Sequence, residues 1–454
     1  MTKASQTYLP ARTLILAATE ALPALALLVW MVPASHSEGW LWLRYENGFL
    51  RIGAVALTFF LCMYYYDLYD WPALRSLPVA LTRLPEVLGT VCLILAGLYL
   101  AAPALRLRLA VVLLAMATLG LGVAIARQIH FTITRSGRLS QNFVVVGEGR
   151  LAAELTAIIQ SRPELGIRLA CTVPDAPSAA RLLASAARPA ASGRSPARVD
   201  GWIMASSRNR EPLGEAGENG DGPNMQILDG PALYEILTGK VWLESLDSDR
   251  QQPGQAATAS PLAAAAKRTL EILFSLFALL LLAPLMAMIA LVIWADSGAP
   301  VVFHQRRVGQ SGHLFTLYKF RTMTKGDHGR FRPAEKNDER FTRAGRWLRR
   351  TRLDELPQLW NILRGDMSFM GPRPFAWQEE REWALEIPGY TQRWNVKPGA
   401  TGWAQIRRGY CSTREDNVEK LAYDLFYIKN RSFALDLWIL FETTRILLKG
   451  RGAR

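Results

Sequence analysis

Four apolar runs crowd the first 130 residues of this chain, at 13–32, 52–66, 87–102 and 109–126, with short connections between them. Each approaches the length that a helix needs to cross bilayer hydrocarbon. The second and third fall slightly short and recruit flanking aromatics such as Tyr64, Tyr65 and Tyr99. Four such runs in succession argue against packed soluble helices. The first is too long for a signal-peptide core, has no clean A-x-A-type cleavage site after it, and is expected to be retained. The rest follows suit: 50% of the 454 residues are hydrophobic and only 20% charged.

Loop charges set an orientation. Arg75 and Arg83 lie in the second loop, and Arg127, Arg135 and Arg138 follow the fourth run. The positive-inside rule places the N-terminus, the second loop and everything after residue 127 in the cytoplasm, with Arg44, Arg51, Arg106 and Arg108 in the other loops pulling the opposite way. The four cysteines, Cys62, Cys92, Cys171 and Cys411, show neither metal-ligand spacing nor a disulfide framework.

After the fourth run, an apolar strand at 142–146 leads into Gly147-Glu-Gly149-Arg-Leu-Ala152 and then a helix. This is the opening of a Rossmann-like α/β unit, in which glycines bring backbone close to a phosphate at a helix N-terminus. Further strands are expected at 168–173 and 201–205. No convincing ribose-binding acid follows the second strand, so structural use of the fold outweighs nucleotide binding at Gly147 and Gly149. Stretches rich in Ala, Ser, Pro and Gly at 176–200 and 207–225 read as loops, and 251–266 as a linker.

A fifth apolar run, at 269–294, is long enough to span. Lys267 and Arg268 precede it; Arg306, Arg307, Lys319 and Arg321 follow, so both flanks look cytoplasmic. In its middle, Ala283-Pro284 removes a backbone hydrogen bond and bends the helix. A re-entrant helix that returns to its own face is therefore favoured over a kinked spanning one. Most of the net charge of +14 lies beyond this run. Basic residues directly after a membrane segment point to lipid headgroups or a phosphate-bearing substrate ahead of nucleic acid.

Two short strands, 301–305 and 314–320, are expected around a turn at Gly309 and Gly312. They deliver Lys319 and Arg321, which suit a phosphate, although a surface pair is as good a reading of these two alone. The densest constellation is Arg346-Trp-Leu-Arg349-Arg350-Thr-Arg352-Leu-Asp354-Glu355-Leu-Pro357. Pro357 suits a first helical turn, which puts Asp354 and Glu355 just before or at a helix N-terminus. The helix dipole and four arginines then favour their ionised forms. An ionised Asp in a cationic pocket can attack phosphorus or hold Mg2+. Arg373, between Pro372 and Pro374, is presented with little entropy left to lose, as a phosphate clamp requires. A glycine-rich turn around Gly402 follows, and Asp424 is an acid in an otherwise aromatic and apolar helix.

Taken together these residues resemble the bacterial sugar transferase family, the polyisoprenyl-phosphate hexose-1-phosphate transferases. The likeness rests on Lys319-Phe-Arg-Thr-Met, Leu353-Asp-Glu-Leu-Pro-Gln-Leu-Trp-Asn, Gly365-Asp-Met-Ser, Gly371-Pro-Arg-Pro and Pro398-Gly-Ala-Thr-Gly-Trp-Ala-Gln, in the family's order over residues 267–454. It is nearest to members that begin exopolysaccharide repeat units. The resemblance implies a bacterial inner-membrane protein with three parts: four transmembrane helices over 1–130, a degenerate Rossmann-like domain over 139–250, and a mainly α catalytic domain over 267–454 containing the re-entrant helix.

It also implies chemistry. Asp354 would attack the sugar-bearing phosphate of a UDP-sugar, releasing UMP, and undecaprenyl phosphate would then take the sugar phosphate. Glu355 would handle protons or share Mg2+ with Asp354. Lys319, Arg349 and Arg373 match the family's phosphate-binding cations, with Arg321 and Arg352 as further candidates, and Asp424 matches another active-site acid. The family's usual Ser-Pro at the helix break is Ala283-Pro284 here. Glucose and galactose lead as the sugar. A homodimer through the Rossmann-like domain is expected only because that domain lacks an evident catalytic role. The competing readings are a membrane-anchored dehydratase or epimerase, whose Tyr-x-x-x-Lys pair is missing from the sequence, and a non-catalytic scaffold.

Overall fold

A computed structural model describes residues 21–31, 47–66, 68, 77–135, 141–162, 167–175, 178, 199–205, 226–245, 261–324, 338–408 and 413–448. Residues 13–20 of the first predicted span, the loops at 179–198 and 207–225, Cys411 and residues 251–260 of the linker lie outside these. Ala21–Met31 (α1), Gly48–Tyr65 (α2), Leu77–Ala101 (α3) and Leu109–Arg135 (α4) are apolar helices. They share one core built on Leu28, Val55, Phe59, Val91, Leu95 and Leu119. α3 begins before its predicted run and α4 continues past its own, because hydropathy marks the bilayer-buried part of a helix and misses polar ends such as Arg83 and Arg127.

Gln141–Val146 (β1), Ile167–Val173 (β2), Gly201–Met204 (β3) and Gln226–Asp229 (β4) form a parallel sheet in the order β2-β1-β3-β4. Arg150–Ser161 (α5) crosses from β1 to β2, and Gly230–Thr238 (α6) follows β4. β4 was not legible in the sequence: four residues after a Gly-rich stretch of sequence are too few to show a period. The turn into α5 holds Gly147 and Gly149 at φ 129° and 107°, backbone that glycine alone adopts without strain.

Pro261–Ser297 (α7) is a single helix of 37 residues, uninterrupted through Ala283 and Pro284. At its start Lys267 meets Asp436 at 2.7 Å, Arg268 donates to the carbonyls of Ile362 and Leu363, and Glu271 accepts from Ser368. At its far end Asp296 accepts from the Ala344 N–H and Ser297 from Arg321. Both ends are thus tied to the same C-terminal domain, while Leu273, Phe274, Phe277, Leu280 and Leu281 between them are exposed. With α2, α3 and α4 it is long and apolar enough to cross a membrane, which marks a membrane-associated protein.

The rest of that domain is mostly helical. Val302–Val308 (β5) and Leu314–Phe320 (β6) form an antiparallel hairpin, followed by Arg343–Thr351 (α8) and Gln358–Arg364 (α9). Ser368–Met370 (β7) pairs in parallel with Gly399–Thr401 (β8), and Trp377–Glu386 (α10) lies between them in sequence. Trp403–Arg407 (α11), Arg414–Lys429 (α12) and Phe433–Leu448 (α13) complete it. The sheet layer is pinned here: the Trp403 indole donates to the Gly239 carbonyl at the end of α6, Val241 N–H bonds Ala422, and Lys429 pairs with Glu235 at 2.9 Å.

Backbone meets backbone where β7 and β8 join. A Cβ at Gly399 would lie 2.1 Å from the Gly371 nitrogen, and one at Gly402 2.1 Å from the Gly371 carbonyl oxygen. This explains why the segments around Gly371 and Gly399 are glycine-rich: their contact leaves no space for a side chain. Gly399→Ala is therefore expected to cost at least about 2 kcal/mol, read as a lowered melting temperature of the detergent-solubilised protein. An unchanged melting temperature would contradict this packing.

Candidate active site

β6 carries Lys319 to its C-terminal end, where the hairpin faces the turn after α8. Arg352 adopts a left-handed conformation (φ 60°) that stops α8 and opens a single 3-10 turn, Leu353–Glu355. Pro357 caps α9 rather than entering its first turn, so Asp354 and Glu355 sit in a turn of their own, ahead of the helix. Fully buried Asn361 ties this region to the hairpin, donating to the Thr316 carbonyl and accepting from the Tyr318 N–H. Lys319 and the acid pair are thereby locked together.

Glu355 is the charge centre. Its Oε1 accepts from Arg373 at 2.6 Å, Arg352 at 3.3 Å and Lys319 at 3.4 Å. Burial pushes its carboxyl up, but Arg373 and Lys319 outweigh that and hold it well below the usual carboxylate range. Asp354 is the opposite case, and departs from the expectation that the helix dipole and the arginines favour its ionised form. It is buried, and its Oδ1 has no hydrogen-bond partner. Burial and then the neighbouring Glu355 charge raise its pKa, against the pull of Lys319, Arg349 and Arg373. Two adjacent carboxylates therefore take two roles: Glu355 stays charged with its Oε1 held by cations, while Asp354 offers a free oxygen. Lys319 is drawn down to about 8, chiefly by burial and despite Glu355.

The other expected residues spread around this centre. Arg349 stacks over Phe341 at 4.4 Å, close enough to Asp354 to act on its charge. Arg321 turns away, binding Ser297 and the Gly298 carbonyl at the end of α7. Asp424 is buried in an ion pair with Arg393 at 2.9 Å. Arg393 also binds Glu380 and donates to the Arg373 carbonyl, and Glu380 accepts from the Phe375 N–H. Asp424 thus belongs to a buried network that grips the backbone at Arg373 and Phe375, on either side of Pro374. Ala283 and Pro284 lie within α7, and Gly147 and Gly149 in the turn between β1 and α5.

Sequence reasoning passed over two neighbours. Arg307, read only as a flanking charge, joins Lys319 and Arg373 around a cavity of about 20 Å³ that Gln358 also lines. Alternation along β5 could have found Arg307, since it shares its face with Lys319 across the hairpin. Arg393 had no such signal, because its partners lie 13 and 31 residues away.

Among the described residues no group of three or more His, Cys, Asp or Glu side chains could hold a metal. Mg2+ does not need one: it commonly takes one or two carboxylates and completes its shell with water and substrate phosphates. The unpartnered Asp354 oxygen, with Glu355 beside it, fits such a donor set.

The cluster carries more buried positive than negative charge and should bind phosphoanions. That binding depends on protonated Lys319, whose charge is complete below about pH 8 and lost as pH rises through it. Affinity for pyrophosphate, measured calorimetrically, is expected to fall up to about tenfold between about pH 7 and pH 9. A flat profile would show that Lys319 does not supply the charge.

Comparison with known proteins places this constellation. Residues 262–450 match the bacterial sugar transferase family. The chain is 42% identical over 224 residues to the UDP-N-acetylgalactosamine-undecaprenyl-phosphate N-acetylgalactosaminephosphotransferase of Aeromonas hydrophila, covering 49% of this chain and 52% of the relative. It is 41% identical to a UDP-glucose:undecaprenyl-phosphate glucose-1-phosphate transferase of Caulobacter vibrioides, over 40% of this chain and 69% of that one. Against the exopolysaccharide production protein PSS of Rhizobium leguminosarum identity is 42%, over 41% of this chain and 97% of the relative. The match spans about half the length of the Aeromonas relative and nearly all of the Rhizobium one. The chain belongs to the bacterial sugar transferase family.

Proposed function

We propose that this protein transfers a hexose 1-phosphate from a UDP-sugar to undecaprenyl phosphate at the cytoplasmic face of the bacterial inner membrane, releasing UMP. The observation that carries this reading is the buried, unpartnered carboxylate oxygen of Asp354 beside a Glu355 held by three cations. Such an oxygen is a nucleophile kept free, and the cations prepare the place where a diphosphate's charge would lie. The names of the relatives supply the substrate class, a UDP-sugar donor and an undecaprenyl phosphate acceptor.

In the first step Asp354 Oδ1 bonds to the sugar-bearing phosphorus as the bond to the bridging oxygen breaks. Arg373 and Lys319, aligned by Glu355, meet the phosphate oxygens, and Arg349 opposes the upward push that burial and Glu355 exert on the Asp354 carboxyl. In the second step the lipid phosphate attacks the same phosphorus and frees Asp354. Mg2+ would be held by Asp354 and Glu355 and would neutralise diphosphate charge.

Contacts at the two ends of α7, rather than a break at Ala283 and Pro284, support a helix that does not cross. Both of its ends bind one domain, so both belong on one side of the bilayer, with the exposed apolar middle dipping into lipid. Residues 1–130 are read as four transmembrane helices, 139–250 as a degenerate Rossmann-like domain and 267–454 as the catalytic domain. A role in exopolysaccharide synthesis, suggested by the Rhizobium relative's name, and a homodimer remain part of the same reading.

A scaffold that keeps the motifs without activity is the rival. UMP release from UDP-sugars by purified protein with undecaprenyl phosphate and Mg2+ decides between them. Wild type is expected to release UMP, and Asp354→Asn to lose at least about 10³-fold of the rate. Equal rates for the two would remove the mechanism.

A further inference from the structure

The cavity beside the acid pair holds more than that mechanism uses. Its lining side chains include Arg307, Lys319, Gln358 and Arg373, and no carboxylate. Arg307 is fixed by two bonds, donating to the Pro374 carbonyl at 3.0 Å and to Gln305 Oε1 at 2.6 Å. Its Nε is buried without a partner. Gln358, only 3% exposed, leaves its Nε2 equally unpartnered. Buried donors are rarely left unpaired, because each forfeits its hydrogen bond to water with nothing in return.

The space is about 20 Å³, enough for one oxygen. A water there would have to place its own hydrogens among ammonium, guanidinium and amide donors. An anionic oxygen only accepts, and it suits such a lining far better. Lys319 and Arg373 contact Glu355 as well as lining the cavity, so the space lies alongside the catalytic turn.

We propose that Arg307 and Gln358, with Lys319 and Arg373, form an oxyanion pocket for the departing phosphate of the nucleoside diphosphate-sugar. This rests on the reaction proposed above. The phosphorus under attack must face Asp354, so the phosphate one bridging oxygen further on is the one to reach past Lys319 and Arg373 to Arg307. When the bridging bond breaks, its electron pair stays on that oxygen. The departing nucleoside monophosphate thereby gains one negative charge and needs no proton. Arg307 and Gln358 meet the charge that appears at this moment, as the donors of an oxyanion hole do. They are catalytic residues in this sense, and neither stands out in the sequence.

The test is calorimetric binding of UMP and of uridine to the full-length protein in detergent, for wild type, Gln358→Leu and Arg307→Lys, with melting temperatures recorded alongside. Both variants are expected to bind UMP about tenfold more weakly, with uridine binding and melting temperature unchanged. Should Gln358→Leu fold poorly, Gln358→Glu keeps the shape and sets a negative charge against the phosphate, and should weaken UMP at least as much. Unchanged UMP affinity in the variants would overturn the inference and reduce the cavity to a water site. Equal loss for UMP and uridine would also overturn it, since the phosphate would then not be what these side chains read. The reaction itself is tested separately by Asp354-dependent UMP release, which can hold while this inference fails. If wild type binds UMP yet releases none from any UDP-sugar, both fall.

Discussion

The three cations on one oxygen of Glu355 are the constraint around which the catalytic domain is built. Removing a carboxylate from water costs several kcal/mol, and that cost is recovered only where charged partners replace its hydration with good geometry. Arg373 at 2.6 Å, with Arg352 and Lys319 near 3.3 Å, does so here. Each partner comes from a different element, so this contact fixes the end of β6, the turn after α8 and the loop between Pro372 and Pro374 relative to one another. Asp354, one residue away and without a partner, is the product of that arrangement. Its neighbour absorbs the local positive charge, and its own oxygen is left for chemistry.

A buried ion-pair network holds Arg373 in place. Arg393, itself buried, pairs with Asp424 and Glu380 and donates to the Arg373 carbonyl, while Glu380 accepts from the Phe375 N–H. Losing either partner would strand a buried charge, an expensive defect of about 3–5 kcal/mol. The tight glycine contacts of Gly371, Gly399 and Gly402 bring the two loops together beneath this network. Contacts at both ends of α7 then connect the site to the membrane helix: Arg268 caps α9, and Arg321 and Ala344 hold the opposite end. The proposed reaction between a nucleotide-sugar and a lipid would require a rigid site beside an apolar helix, and these contacts tie the site to α7.

Much of this was legible because chemistry was concentrated in the sequence. Asp354, Glu355 and four arginines fall within ten residues, and Arg373 stands between two prolines. The apolar helices announced themselves by hydropathy, though not their polar ends. What stayed hidden depends on long-range partners. Nothing local distinguishes Arg307 from Arg306, yet strand alternation aims one at the site and leaves the other exposed. Arg321 reads like Lys319 two residues earlier, but the strand ends between them and Arg321 turns to the end of α7. Asp424 reads as an acid in an apolar helix, and only the fold reveals Arg393 opposite it. Charge density is visible in one dimension, whereas the pairing of charges is not.

The proposed mechanism requires Asp354 to become covalently attached to the sugar phosphate. The most direct measurement is intact-protein and peptide mass spectrometry after mixing the purified protein with its UDP-sugar and Mg2+, with the lipid acceptor left out. An adduct of one hexose phosphate is expected on the peptide containing Asp354, discharged when undecaprenyl phosphate is added and missing from Asp354→Asn. Turnover with the lipid present, but no adduct under any quenching condition and full activity in the variant, would contradict it and point to direct transfer between the two substrates.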